Sequence, residues 1–87
     1  MHEASLMTGL MRRIDTVASA EHAARVTAVT VWIGALSHMS AEHFAEHFQH
    51  AAAGTIAEGA RLNVTVSDDT GHASAQDILL GSVEVDV

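Results

Sequence analysis

The chain has 87 residues, no cysteine, seven histidines and a formal charge of −7, which describes one small acidic domain with little spare core. Without cysteine there is no disulfide framework, no thiolate zinc ribbon and no thiol nucleophile, so imidazole, carboxylate and backbone groups are the only ligands on offer. Four scattered arginines against eleven acids argue against nucleic-acid binding. No apolar run reaches the length of a bilayer span, and the start lacks the basic, apolar, small-residue order of a signal peptide. The expectation is a cytoplasmic protein without membrane insertion.

The chain opens "MHEAS". A histidine behind methionine is either a chance occurrence or a set of donors fixed by being first. The α-amine of Met1, the amide nitrogen between and the His2 imidazole can close chelate rings on one ion, and such a nitrogen-rich set suits square-planar Ni(II) or Cu(II) better than zinc. The bulk of His2 hinders methionine removal, which keeps the Met1 amine in place. That amine titrates near neutrality, so binding competes with protons and strengthens as pH rises.

From Leu6 the apolar residues Leu6, Met7, Leu10, Met11, Ile14, Val17 and Ala18 fall at helical spacing, opposite Arg12, Arg13 and Asp15. "RVTAVTVWIGAL" alternates as a strand, with Val29, Val31 and Ile33 on one face and Ala28, Thr30 and Trp32 on the other. A second helix starts near Ser40, its cap, and stops at Gly54. "RLNVTV" is a strand with Leu62, Val64 and Val66 on one face; after the turn-rich "SDDTGHASAQD", residues 67–77, "ILLGSVEVDV" alternates through Val83, Val85 and Val87. Gly81 suggests a bulge there, which leaves the outward register of Glu84 and Asp86 open by one residue. The order helix, strand, helix, strand, strand predicts a two-layer α/β domain over residues 1–87: a three-stranded mixed sheet with both helices on one face, the first two strands parallel and the last antiparallel.

Within the second helix His43, His47 and His50 stand at i, i+4 and i+7, flanking a core side marked by Phe44 and Phe48. "HFAEH" matches the inverted zincin pattern, but such proteases need a third ligand, a cleft and far more chain. The plainer reading is a solvated, histidine-rich helix face. A third reading has His43 and His47 capture an auxiliary metal, with His38 able to join them. Trp32, a lone large aromatic on the sheet face away from the helices, beside Asn63, Thr65, Glu84 or Asp86, is either an interface anchor or a scattered surface apolar residue. No nucleophile, base and oxyanion constellation can be assembled, so an enzyme is not expected.

"MHEASLM", "RVTAVTVWIGALS", "GTIAEGARLNV" and "SVEV" together resemble the hydrogenase/urease nickel-insertion accessory family, HypA/HybF, over nearly the whole chain. The most specific pieces are Met1-His2-Glu3, the "IGALS" of residues 33–37 and the "GT…EGA" of residues 54–60. The resemblance implies a small metallochaperone that binds nickel through Met1, His2 and Glu3 and passes it, with a partner GTPase, to the large subunit of a [NiFe] hydrogenase. It also implies a zinc module with two C-x-x-C pairs between the last two strands, where this sequence holds only the cysteine-free loop 67–77. Nickel without zinc is therefore expected, with His72 of that loop either a further ligand or a polar loop residue. Two functions stand: a zinc-free nickel chaperone, or a structural subunit or adaptor of a hydrogenase-type complex that docks through the fold while the nickel site is vestigial. A homo-oligomer is compatible with both.

Overall fold

A computed structural model describes the backbone of residues 3–87 and the side chains from residue 5 onward. Met1, His2 and the side chain of Glu3, on which the N-terminal chelate depends, lie outside the described residues. The elements follow the expected order: α1 (Glu3–Ala20), β1 (Arg25–Ile33), α2 (Ala41–Ala52), β2 (Arg61–Val66) and β3 (Ile78–Asp86).

In the sheet, β1 is central, parallel to β2 and antiparallel to β3. Its inward side chains Val26, Val29, Val31 and Ile33 meet Met7, Leu10, Ile14 and Ala18 of α1 and Phe44, Phe48 and Ala52 of α2 in one core. Both helices therefore cover the same sheet face, as the alternation of β1 requires. Each helix precedes or follows β1 through a short connection and runs back along it. The two helices are consequently parallel to each other, with their N-terminal ends at the same end of the molecule.

Three details differ from the sequence expectation. Helix α1 begins at Glu3 rather than Leu6, because the apolar stripe marks where the helix is buried and not where its hydrogen bonding starts. Val17 sits about 60° from the Ile14 centre of that stripe at 100° per residue and remains 39% exposed. Strand β1 does not alternate throughout: register shifts fall between Val26 and Ala28, and again opposite Thr30 and Val31. In the first, Thr27 is the extra residue on β1, which lets Val26 and Val29 both face the core. In the second, the extra residue is Gly81 on β3, the bulge its glycine suggested. That bulge resolves the register: Val83 and Val85 pack inward, whereas Glu84 and Asp86 point out.

On the open face Ala28 is only 2% exposed, although no helix covers it. Its strand partners are Arg61 and Glu84, whose side chains meet across it at 3.8 Å. The ion pair is solvent-exposed and contributes little by charge, but the aliphatic stems roof the alanine.

Candidate functional site

Helix α2 is cut to length by local chemistry. The Ser40 side chain accepts a hydrogen bond from the His43 backbone N–H at 3.1 Å, closing the first turn, and Gly54 takes a left-handed φ of 76° just past the last turn. Phe44 and Phe48, stacked with ring centroids 6.3 Å apart, seat one face in the core. This fixes the flank: the His43 and His47 rings lie side by side, centroids 4.6 Å apart and tilted 33°. His47 is half-buried, and His43 and His50 are exposed.

His47 and His50 also line a groove of about 630 Å³ between the helices, opposite Met7, Met11, Arg12 and Asp15. Both helices run back along β1 and so parallel to each other, and residues of each line this groove. The first turn of α1 therefore sits at the same end as His43. His38 is exposed in the β1–α2 connection, with a left-handed φ of 61°. Among the described residues no three His, Asp or Glu side chains converge as a metal cluster.

The other candidates lie elsewhere. Trp32 is half-buried on the open sheet face, and its cross-strand neighbours are Thr65 on β2 and Leu79 on β3. Glu84 and Asp86 do not flank it: β3 runs antiparallel, so its end pairs with the beginning of β1, opposite Ala28 and Arg25. His72, a candidate ligand or polar loop residue by sequence, has its ring 4.9 Å from the indole, tilted by 46°, a contact that the sequence does not signal. Its Nδ1 accepts the Ser74 backbone N–H at 2.9 Å, which holds the ring in a turn of the 67–77 connection. No local pattern signals that meeting, because it joins a loop to the middle of the sheet.

The two most specific internal motifs serve the backbone. In residues 54–60, Gly54 and Gly59 adopt φ of 76° and 78°, positions that disfavour any side chain. The Glu58 carboxylate accepts the Gly54 N–H at 3.3 Å, and the Thr55 hydroxyl donates to the Ala52 carbonyl at 2.7 Å while accepting the Ala57 N–H at 3.1 Å. The Ile56 carbonyl then accepts the Val26 N–H, tying this loop to the start of β1. In residues 33–37 the Gly34 and Leu36 N–H groups donate to the Asp77 and Ala75 carbonyls at 2.9 and 2.7 Å, so the segment entering β3 is laced to the end of β1.

A two-layer α/β scaffold with paired surface imidazoles and two glycine-organised loops is the class of molecule in hand, and comparison with known proteins places it. The family model described as "Hydrogenase/urease nickel incorporation, metallochaperone, hypA" matches residues 1–73. The hydrogenase maturation factor HypA 2 of Bradyrhizobium diazoefficiens is 36% identical over 75 residues, covering 86% of this chain and 66% of the relative. HypA of Archaeoglobus fulgidus is 38% identical over 66 residues, covering 76% of this chain and 60% of the relative. The chain thus spans about two thirds or less of the length of these curated relatives. The solution structure of the Ni metallochaperone HypA from Helicobacter pylori superposes with a TM-score of 0.80 at 19% identity, covering 99% of this chain and 98% of that one, which establishes the shared fold. The chain belongs to the HypA family, a family of metallochaperones and not of enzymes. No described helix is long and apolar enough to cross a membrane.

Proposed function

We propose that this protein is a nickel-binding accessory protein for maturation of a [NiFe] hydrogenase, working without a zinc module. Nickel is its cargo. The observation that carries the reading is that the family match starts at residue 1 and so includes Met1-His2-Glu3, the nitrogen-rich set that suits planar Ni(II). In this reading the Met1 amine and the His2 imidazole bind the ion, Glu3 contributes its backbone nitrogen or a supporting carboxylate, and the hydrogenase large subunit or a nickel-inserting GTPase receives it in the cytoplasm. The 11-residue connection 67–77 replaces the zinc module: it carries no cysteine and closes on itself, the Asp69 carboxylate accepting the Gly71 N–H at 3.0 Å and Ala75 sinking to 4% exposure.

The test is a Ni(II) titration of protein with its authentic, untagged start, followed by visible absorption. A one-to-one site with the d–d band of a planar ion is expected, and His2→Ala should abolish that band. Retention of the band in His2→Ala would remove the N-terminal chelate.

A second reading, an adaptor in a hydrogenase-type complex, is favoured by the open sheet face. There Trp32 and the 39% exposed Leu79 are cross-strand neighbours, an apolar pair on a surface otherwise lined by Thr30, Asn63, Thr65 and Ser82. Under that reading Trp32→Lys should lower partner affinity by about tenfold or more, as loss of a central aromatic does. The His2→Ala protein should assemble normally. Pull-down of both variants with the large subunit separates the two readings.

A further inference from the structure

The histidine flank of α2 is not used by the N-terminal chelate, and its geometry has a chemistry of its own. Two imidazoles that share one ion at metal–nitrogen distances of about 2.0–2.1 Å, at an angle between 90° and 109°, hold their nitrogens about 2.9–3.4 Å apart. The His43 and His47 ring centroids are 4.6 Å apart with their planes tilted by 33°, one helical turn from each other on the same flank. Side-chain rotation about χ1 and χ2 within this i, i+4 pair turns one in-plane nitrogen of each ring onto a shared ion.

The backbone beneath them is fixed in advance. His43 lies in the turn closed by the Ser40 cap, and both histidines alternate along the helix with Phe44 and Phe48, which are 0% and 2% exposed. The i, i+4 spacing is therefore held by the core and not by the metal.

We propose that His43 and His47 form an auxiliary, exchangeable binding site for a divalent late first-row metal ion, separate from the N-terminal chelate. The class of metal follows from the donors: imidazole suits nickel, copper and zinc, and a purely oxygen-seeking ion such as magnesium finds nothing there. The lability follows from the count. Among the described residues no third His, Asp or Glu joins the pair, and two imidazoles alone make an exchangeable site and not a closed structural one. Both histidines hold other interactions as well, which an entering ion must displace or share. Because α1 and α2 are parallel, this pair sits at the end of the molecule where α1 begins. The acidic surface, net −7, raises the local concentration of cations around it.

The two sites differ in electronic state, which makes the test specific. A planar nitrogen-rich Ni(II) chelate is diamagnetic. A two-imidazole, water-filled Ni(II) site is octahedral and paramagnetic, and it broadens the ring signals of its own ligands. Ni(II) is titrated into wild type, His2→Ala, His43→Ala/His47→Ala and the triple variant, followed by histidine ring NMR and by competition for the ion. In His2→Ala, the His43 and His47 signals should broaden while His22, just past the far end of α1, stays sharp. The triple variant should bind the ion about tenfold or more weaker than His2→Ala, since even supporting partners of ligands cost that much. Sharp His43 and His47 signals at nickel concentrations that saturate wild type overturn the proposal, and so does equal affinity in His2→Ala and the triple variant. Exposed His43→Ala alone guards against a folding artefact: with far-UV circular dichroism unchanged, it should lose the broadening at His47, and persistence of that broadening counts against the pair. Loss of the planar band on His2→Ala speaks only to the N-terminal reading, so the two outcomes are independent.

Discussion

Gly34→Ala is expected to unfold the end of the sheet opposite the start of β1. A Cβ on Gly34 would fall onto the Ala75 carbonyl oxygen, with the Ala75 carbonyl carbon and the Ser74 oxygen both at 2.6 Å. These are backbone atoms, so no side chain can swing aside. The 74–77 segment must move away from β1, and the Gly34-to-Asp77 and Leu36-to-Ala75 hydrogen bonds go with it. Overpacking costs about 1–3 kcal/mol, and two disrupted backbone hydrogen bonds add about 1 kcal/mol each. A loss of about 3–5 kcal/mol follows, measurable by urea denaturation. Amide exchange should rise first at Gly34, Leu36 and Asp77, and the indole should lose its His72 neighbour, changing its fluorescence. Wild-type stability in Gly34→Ala would mean that the two segments are not packed as described.

That contact marks the limit of what the chain reveals one residue at a time. The strands and α2 were readable because each has one buried face: Val29, Val31 and Ile33 alternate with Thr30 and Trp32, and Phe44 and Phe48 recur at helical spacing. The side-by-side imidazoles of His43 and His47 followed from the same arithmetic. What joins distant segments was not readable. Of the neighbours that the sequence offers Trp32, Asn63, Thr65, Glu84 or Asp86, only Thr65 is its cross-strand partner, because alternation gives a face but not a register, and two bulges shift the β1–β3 register on the way. The meeting of Trp32 with His72 depends on how a turn-rich loop folds back, for which no period exists. The glycine motifs at 33–37 and 54–60 are legible in the sequence as features of a family but not by their physical reason. That reason is a close approach at Gly34 and left-handed backbone at Gly54 and Gly59.

The second large effect lies under the histidine flank. Phe44 is fully buried and stacks with Phe48, and together they are the bulk that α2 contributes to the core. Phe44→Ala should cost about 3–5 kcal/mol, from lost transfer energy and the cavity left behind. A chain of 87 residues has roughly 4–13 kcal/mol in total at 0.05–0.15 kcal/mol per residue, so the variant sits at or near the unfolding threshold. Phe44→Leu, which keeps most of the volume, should lose less than half as much. Thermal denaturation by circular dichroism orders the three proteins, and a Phe44→Ala curve superimposed on wild type would mean that α2 does not depend on this anchor. The same experiment reaches the metal chemistry, because a ligand that binds only the folded state raises stability by RT ln(1 + [L]/Kd). The His43–His47 pair exists only while α2 is helical, whereas the donors of Met1-His2-Glu3 are neighbours in sequence and can chelate with the fold lost. Nickel should therefore raise the melting temperature of Phe44→Ala through the helix pair even in a His2→Ala background, and that rise should vanish when His43 and His47 are replaced. A metal-induced shift that depends on His2 alone would instead place the coupling between nickel and folding at the start of the chain.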